Sequence, residues 1–578
     1  MSFRYLPLVL VAVVMMTASF ARATTWYVRS DGGTRYSAVK PLGQCNGQAN
    51  APYPGSGVNR ACAFKDVRYL WADGEHTTTA GFPKWGWVGK GGDTYVIDCP
   101  TDCRVGYDGP NSGNYTNSAG SAVALAGNPY ASGSPVPPSG TPSAHTRILG
   151  KNWQSCTGDS LKAHLNGGYG VSPVLNLAGA SYVDVACFNI TDHSSCTRIT
   201  GANTCHTSYP LDDYTTIGIQ WSNATTNVKL TDVRVHGMAA DGMAGPTGNG
   251  VSLERVALVG NPMGGWNLDL GDGTTGTGTL SMDHMSILWS GCAEEYPIVD
   301  ALPYNYCTDD QSGGYGDGIG TATVQSNPAW KISITNSEAA YNTQDGFDLL
   351  HVDGNGSAVQ IQSSTAYSNM GQQLKIGASS SAINNLLIGN CNAMRNVIPG
   401  TPAGYNTHLS HFCRAANTAV ALGVSDAVPT RFEHNTVLSD GSTGIDVFCN
   451  GTCTSAASFV YRNNIFYGFK ASSGQYPGLI YNSVNGLFTN PGTVVTNNLT
   501  YHQRYACPDP SLYEKNAICS DPLLVDGTYH PYGDWDLSLS ASSPAKGKGV
   551  AVSGVTADYM GNPRNNPPAI GAFEGTDW

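Results

Sequence analysis

The sequence is poor in charged side chains, which make up 12% of its 578 residues. After the first residues, no apolar run is long enough to span a membrane. Glycine is abundant at 70 residues but follows no G-X-Y period, which excludes collagen. There is no C-x-x-C pair and no H-x-x-x-H pattern, which disfavours thiolate and helical zinc sites. The net charge of −12 argues against a nucleic-acid partner.

The first residues predict export. Arg4 precedes the apolar run Leu6–Met16, and Ala21-Arg22-Ala23 offers an A-x-A cleavage site, so residues 1–23 are expected to be a signal peptide. The chain should then be secreted, with no membrane insertion. Its 16 cysteines fall largely in close pairs, which in an exported chain favours disulfides over a metal site. The expected pairs are Cys45/Cys62, Cys99/Cys103, Cys196/Cys205, Cys292/Cys307, Cys391/Cys413, Cys449/Cys453 and Cys507/Cys519.

The centre of the chain repeats with a period of 27 residues. Three series mark the period: Ile334, Ile361 and Ile388; Ala339, Ala366 and Ala393; and Asn342, Asn369 and Asn396. A constant period in this range is typical of a solenoid. Within each repeat, apolar and polar residues alternate and β-branched residues are frequent, which indicates strands. The predicted fold is an all-β, right-handed parallel β-helix of about ten coils, in which equivalent residues lie about 4.8 Å apart.

The ends of the solenoid need caps, because each end would otherwise expose its apolar interior. Residues 24–98 are expected to form an N-terminal strand, a loop and a helical cap, with Ala63–Trp71 as the helix. Residues 99–505 should form the β-helix with loop insertions, and residues 506–578 a C-terminal capping segment. No boundary indicates a second independent domain, and we expect a monomer.

Three aspartates and a lysine are predicted to meet on adjacent coils. Phe347 and Leu349 are apolar, so Asp348 should point outward, and the same alternation places Lys375 outward one period later. Asp345 precedes Asp348 at an Asp-Gly turn, and Asp317 aligns with Asp345 one coil earlier. Clustered carboxylates favour Ca²⁺, which binds oxygen ligands and could neutralise a uronate carboxylate.

Such a site would suit β-elimination in a 4-linked uronate polymer. A neutral lysine could remove the proton next to the substrate carboxylate, provided that a nearby positive charge lowers its pKa. Lys375 is therefore the candidate base, and Asp317, Asp345 and Asp348 are the candidate Ca²⁺ ligands. Arg395 is the candidate substrate-binding residue, and an acidic polysaccharide is the expected substrate.

The strings GYGDGIG, NTQDGFDLL and GQQLKIG resemble the Asp/Asp/Lys signature of the family 9 pectate lyases. The resemblance covers residues 314–396 and implies an exported, right-handed parallel β-helix enzyme. It also implies that Asp317, Asp345 and Asp348 bind Ca²⁺ and that Lys375 is the Brønsted base. The family has an aspartate before the Asp-Gly pair, where this sequence has Gln344.

Other interpretations of the same residues stay open. Asp-Gly pairs are common turn formers, and one recurs at Asp241 with no lysine one coil later. A glycoside hydrolase on the same fold could use Asp345 and Asp348 as its carboxylate pair. A non-catalytic carbohydrate-binding protein or adhesin is the third possibility. The asparagine series is better explained as a stacked amide ladder than as ligands. Aromatic residues near the insertion are expected in the core rather than on a sugar platform: Trp266, Trp289, Tyr304, Tyr306 and Tyr315.

Overall fold

The structure of the chain is a computed structural model. It describes residues 23–38, 40–72, 86–101, 103–107, 109–110, 114–116, 122–124, 133–199, 203–208, 210–246, 248–268, 278–297, 304, 306–307, 316–321, 330–352, 356–390, 418–470, 474–528, 530 and 535–575. The predicted signal peptide up to residue 22, the Cys391/Cys413 pair and Arg395 lie outside these residues.

One side of the molecule is a ten-stranded sheet in which every strand pairs in parallel with its neighbours. Each strand comes from a different coil, so the strands follow one another in chain order. The strands are Leu175–Asn176, Ile217–Gln220, Asp241–Ala244, Gly264–Asn267, Ile319–Gly320, Phe347–Leu349, Leu374–Ile376, Thr418–Val424, Thr443–Cys449 and Gly478–Asn482.

A 23-stranded sheet supplies the rest of each coil as two parallel stacks. The first stack contains Thr25–Gly33, Thr94–Asp98, Thr146–Gly150, Gly278–Asp283, Trp330–Thr335, Ala358–Gln362, Ser381–Ile383, Thr430–Glu433, Phe459–Arg462 and Val494–Thr496. The second contains Cys103–Arg104, Ala163–Asn166, Ser286–Leu288, Glu338–Ala340, Thr365–Tyr367, Leu386–Gly389, Thr436–Ser439, Ile465–Gly468, Leu499–Tyr501 and Ile518–Cys519. The long strands Ser181–Thr191, Thr226–His236 and Val251–Val259 run through both stacks. The chain is therefore a parallel β-helix, as its repeat predicts.

Regular structure outside these stacks is sparse within the described residues. Two antiparallel pairs join Asn114–Thr116 to Ala122–Ala124 and Cys292–Ala293 to Tyr306–Cys307. The helices are single 3-10 turns at Val67–Leu70, Asp159–Leu161, Leu487–Thr489 and Pro510–Leu512. None of them has the length and hydrophobicity of a membrane span.

Strict alternation of side chains fills the interior of the central coils. Phe347 and Leu349 are fully buried, as are Leu374 and Ile376 in the next strand. Full burial of such a side chain stabilises the fold by about 1.5–3 kcal/mol. Because these apolar residues must face inward, the residue between them in each strand is turned to the outer face. The packing of the core therefore fixes which side chains can meet outside.

Stacked amides line two of the turns between strands. The Nδ2 of Asn342 donates to the Oδ1 of Asn369 at 2.7 Å, which confirms this part of the predicted ladder. Asn396 lies outside the described residues. The sequence analysis missed a longer ladder. In it, hydrogen bonds of 3.0–3.2 Å between side-chain amides link Asn385, Asn435, Asn464 and Asn498. The residue before each of its members has a positive φ, at Asn384, His434, Asn463 and Asn497.

The third repeat predicted from the sequence is out of register. Ile334 does pair with Ile361 across one 27-residue coil. Ile361 then pairs with Ala382 rather than with Ile388, because the next coil is only 21 residues long. Ile388 pairs instead with Tyr367 in the other stack. Both stacks accept apolar residues in alternation, so the sequence pattern did not distinguish them.

The helix predicted at Ala63–Trp71 is wrong in its extent and type. Only Val67–Leu70 is helical, as one 3-10 turn capped by the side chain of Asp66. Phe64 instead forms a parallel β-bridge with Val28 and is not helical. The apolar side chains of the turn are buried against the first coils. Tertiary packing therefore outweighs the helical spacing of the apolar residues.

The C-terminal segment lies along the side of several coils. Tyr559 contacts the hydroxyl of Thr365 at 2.7 Å, and Asn384 donates to the carbonyl of Ala557 at 2.8 Å. The guanidinium of Arg564 donates to Asn384 at 2.6 Å. Leu537, Leu539, Ile570 and Phe573 are buried in a second apolar cluster against the second stack. The segment thus covers turns of the β-helix that are far from it in sequence.

Disulfides pin loops to the coils throughout the described chain. Six predicted pairs are present: Cys45–Cys62, Cys99–Cys103, Cys196–Cys205, Cys292–Cys307, Cys449–Cys453 and Cys507–Cys519. A seventh, Cys156–Cys187, was not anticipated because its partners are 31 residues apart. No described cysteine is free, which excludes a thiolate metal site among these residues.

Candidate metal and catalytic site

Three adjacent strands of the ten-stranded sheet bring the predicted site residues together. Ile319 pairs with Phe347, so that Asp317 lies beside Asp345. Asp348 pairs directly with Lys375 in the next strand. We call these four residues, Asp317, Asp345, Asp348 and Lys375, the carboxylate–lysine site. Their proximity follows from coils of nearly equal length, 28 and 27 residues, and from the burial of the apolar residues on either side.

Hydrogen bonds hold the carboxylates in fixed positions. Asp317 accepts from the backbone N–H of Asp345 at 2.8 Å. Asp345 accepts from the backbone N–H of Gln372 at 2.5 Å through one oxygen, and from the Nζ of Lys375 at 2.8 Å through the other. Lys375 also donates to Asp348, whose second oxygen accepts from the N–H of Leu350 at 3.3 Å. The lysine thus bridges two carboxylates of the preceding coil.

Gly371 leaves the space that the Asp345 carboxylate occupies. A Cβ atom at position 371 would lie 2.0 Å from the Oδ1 of Asp345 and 2.8 Å from its backbone nitrogen. Real side chains do not tolerate contacts of that length, so any other residue would displace Asp345 or its own backbone. This glycine belongs to the site although it carries no chemistry.

The site buries three carboxyl groups beside a single lysine. Asp317, Asp345 and Asp348 are 3%, 0% and 8% exposed, and the side chain of Lys375 is 13% exposed. Burial raises the pKa of Asp317 well above its usual range, and the neighbouring carboxylates raise it further. Burial also raises the pKa of Asp348, while Lys375 acts in the opposite direction. Buried carboxylates that crowd one another favour a bound cation.

The donor set fits a hard divalent cation such as Ca²⁺. One carboxylate oxygen from each aspartate can be chosen so that all three lie within 4.8 Å of one another. Ca²⁺ binds oxygen at about 2.3–2.6 Å, so ligands of one ion are separated by at most about 5 Å. Within the described part of the chain, this is the one group of three such residues that meets the distance limit.

Gln344 lies beside the site but adds no charge. It is buried at 3% exposure, and its backbone carbonyl accepts a hydrogen bond from the N–H of Gly371 at 2.8 Å. Any cation held here would therefore rely on three carboxylates from the protein. The position of Arg395 is outside the described residues, so its predicted role in substrate binding stays a prediction.

Asp241 occupies the equivalent register position in an earlier coil. It pairs with Gly264, and a Cβ atom on that glycine would lie 3.3 Å from the Oδ1 of Asp241 and 3.6 Å from the carbonyl of Asp317. Asp241 is 5% exposed, its Oδ1 has no hydrogen-bond partner, and burial raises its pKa to about 8. The glycine separates it from the three clustered aspartates.

The aromatic residues near the insertion are core residues where the structure describes them. Trp266, Trp289 and Tyr304 are at most 1% exposed, as expected. Tyr315 and the side chain of Tyr306 lie outside the description. Among the described residues, the exposed aromatic residue on the site's own sheet is Tyr481, in its last strand. The sequence analysis missed it because the coils there differ in length.

No family model matches the chain, and no curated protein matches it significantly. Among solved structures, it is similar to pectate lyase Pel9A, with 12% identity, a TM-score of 0.41 and coverage of 96% of this chain and 98% of that one. It is also similar to a PL6 family polysaccharide lyase from Pseudopedobacter saltans, with 11% identity, a TM-score of 0.36 and coverage of 75% and 89%.

A third similar structure is the A-module of the mannuronan C-5 epimerase AlgE4 from Azotobacter vinelandii, with 12% identity, a TM-score of 0.33 and coverage of 74% and 91%. Similarity at this level assigns neither a family nor an activity. Any functional assignment must therefore come from the chemistry of the site.

Proposed function

We propose that the protein is a secreted, Ca²⁺-dependent polysaccharide lyase that cleaves 4-linked uronate polymers by β-elimination. The observation that carries this proposal is the contact of Lys375 with two of three clustered, buried carboxylates. A lysine in such a position is a candidate base, and the carboxylates are candidate metal ligands. Seven disulfides among the described residues support an exported protein.

Asp317, Asp345 and Asp348 would hold the metal. Bound there, Ca²⁺ would neutralise the carboxylates and acidify the proton next to a coordinated uronate carboxylate. Carboxylates that hold a cation no longer stabilise the ammonium form of Lys375. The lysine, on the outer face of its strand, would then be able to accept a proton.

The reaction requires only one proton acceptor from the chain. Lys375 takes the proton from C5 of the uronate, and the electrons of that C–H bond form the C4–C5 double bond. The bond from C4 to the bridging oxygen breaks, and that oxygen takes up a proton from solvent. One product carries the unsaturated uronate at its new non-reducing end and keeps the original reducing end of the polymer. The other product has a new reducing end, because the bridging oxygen stays on C1 of its last sugar.

The test is incubation with a panel of uronate polymers, with and without Ca²⁺, followed by ultraviolet absorbance and product sizing. We expect unsaturated products that a chelator and Lys375→Ala both abolish. Lys229→Ala is a matched control, because Lys229 is also an outward, ion-paired lysine on a strand, bound to Glu254 at 2.7 Å. Full activity of Lys375→Ala contradicts the proposed base.

The same assay separates the alternative functions. Release of reducing ends without unsaturated products would indicate a glycoside hydrolase that uses Asp345 and Asp348. Polymer binding without cleavage would indicate a carbohydrate-binding protein. Both outcomes would contradict the lyase mechanism.

A further inference from the structure

The outer face of the ten-stranded sheet continues beyond Lys375 toward its C-terminal end. Lys375 pairs with Ala421, Ala421 with Asp446, and Asp446 with Tyr481. Tyr481 therefore lies three strand spacings from Lys375, or roughly 14 Å along the axis of the β-helix. Ala421, which lies in register between them, has a small side chain that protrudes little from the sheet.

Tyr481 is exposed although it lies within a strand. Its exposed fraction is 60%, while Ile445 and Val447, which flank Asp446 in the neighbouring strand, are fully buried. A second exposed tyrosine, Tyr505, lies over the start of the same strand at 59% exposure. A Cβ atom on Gly478 would lie 3.2 Å from the Cε2 atom of its ring. Two rings are thus presented on a rigid support, and an aromatic face can cover the apolar face of a sugar.

Asp446 supplies a polar group next to this aromatic surface. It is half-buried, and its Oδ1 is buried without a hydrogen-bond partner among the described residues. Burial raises the pKa of Asp446. Buried polar atoms in proteins are nearly always hydrogen-bonded, so an unpaired carboxylate oxygen on an outer face calls for a partner. Sugar hydroxyl groups are suitable donors.

We propose that Asp446 and Tyr481 form a sugar-binding subsite for a distal unit of the polymer that occupies the carboxylate–lysine site. The proposal rests on the proposed function, because that function supplies the polymer. The ring of Tyr481 contacts the apolar face of the sugar, and Asp446 accepts hydrogen bonds from its hydroxyl groups. A uronate carboxylate is repelled by Asp446, so the bound unit turns its hydroxyl groups toward Asp446 and its carboxylate away.

The test compares long and short oligomers that contain the same sugars. Octamers prepared from polygalacturonate and from alginate can span the distance from Lys375 to Tyr481, whereas dimers cannot. Affinities are measured by titration calorimetry in the Lys375→Ala background. We expect Tyr481→Ala to weaken octamer binding about three- to tenfold, the range of one aromatic contact, and to leave dimer binding unchanged.

Two further variants make the result specific. Asp446→Asn keeps the size of the side chain but removes the charge, and it should also weaken octamer binding selectively. Tyr513→Ala is the control, because Tyr513 is 64% exposed in the C-terminal segment and does not belong to the ten-stranded sheet. Tyr513→Ala should bind octamers with the same affinity as its parent, the protein that carries Lys375→Ala alone.

The failure of the subsite and the failure of the lyase mechanism give different results. Equal octamer affinity of Tyr481→Ala, Asp446→Asn and Tyr513→Ala overturns the subsite, as does the absence of measurable octamer binding by the parent. Polymer cleavage by Lys375→Ala contradicts the proposed base. Such cleavage does not affect the comparison of octamer and dimer affinities, provided that binding is measured before the oligomers are cleaved.

Discussion

Lys375 pairs with Asp348 in the preceding strand, and its ammonium also contacts Asp345 at 2.8 Å, so that one cation serves two buried carboxylates. Asp317 completes the group without contacting the lysine directly. The lysine therefore has a structural role in addition to its proposed chemical role. The two can be separated, because one concerns stability and the other turnover.

Replacement of Lys375 by methionine should destabilise the protein when divalent cations are absent. The change leaves three buried carboxylates without their ammonium, and loss of one partner of a buried pair costs on the order of 3–5 kcal/mol. Ca²⁺ should recover much of the loss, since a ligand at a hundred times its Kd stabilises by about 2.7 kcal/mol. Denaturant unfolding with Ca²⁺ and with a chelator measures both effects.

Lys229→Met provides the comparison for this experiment. Lys229 is about half exposed and pairs with Glu254 on the neighbouring strand of the 23-stranded sheet, so its loss should cost at most about 1 kcal/mol with or without Ca²⁺. Both variants keep the three aspartates, so the absence of Ca²⁺ stabilisation in the parent and in both variants would contradict a cation site there.

Substitution of Gly371 by alanine should weaken Ca²⁺ binding without removing a ligand. The added Cβ would lie 2.0 Å from the Oδ1 of Asp345, so the carboxylate must move. Displacement of groups that support metal ligands typically lowers affinity 10- to 100-fold, and we expect a loss in that range by calorimetry. Circular dichroism should stay unchanged.

Gly158→Ala is the control for the glycine substitution, because a Cβ atom there meets no other atom within 4 Å. Its Ca²⁺ affinity should equal that of the parent. Unchanged affinity in Gly371→Ala would mean that Asp345 does not bind the ion in the conformation described.

The burial of Asp241 should make the protein less stable as the pH rises. Burial raises its pKa to about 8, from an unfolded value near 4, so the folded state binds the extra proton between these limits. Its contribution to stability is complete below about pH 4 and is lost as the pH rises through about 8. The loss can reach about 1.4 kcal/mol per pH unit.

Asp241→Asn should remove this part of the pH dependence and be relatively more stable at neutral pH. Urea unfolding of both proteins across the range from about pH 4 to pH 8 tests the sign and the slope. Parallel stability curves for the parent and the variant would show that Asp241 does not titrate with a raised pKa.

The carboxylate–lysine site could be predicted from the sequence because its coils are nearly equal in length, at 28 and 27 residues. The 27-residue spacing carries Asp348 onto Lys375, and buried neighbours fix the outward direction of both side chains. The same reasoning failed at Ile388, where the coil shortens to 21 residues and the apolar pattern fits either stack. Periodicity therefore gives reliable contacts only while the turns between strands keep their length.

Other contacts have no periodic signal in the sequence. The pairing of Asp446 with Tyr481 follows a coil of a different length, and Cys156 reaches Cys187 across a loop. The contact between Thr365 and Tyr559 joins residues 194 positions apart. Such contacts depend on how loops and the C-terminal segment fold back on the coils, which alternation and spacing do not encode.

The buried ion pair of Arg564 and Glu574 should anchor the C-terminal segment. Their side chains are 4% and 7% exposed and meet at 2.9 Å, and Arg564 also donates to Asn384 in the β-helix. Arg564→Met leaves the Glu574 carboxylate buried without its counter-charge and, among the described residues, with hydrogen bonds from Asn565 and Ala569 only, which should destabilise the protein by on the order of 3–5 kcal/mol. Arg29→Met, which breaks a partly exposed pair with Asp31, should cost about 1 kcal/mol or less. Equal unfolding midpoints for the two variants would mean that this ion pair does not anchor the segment.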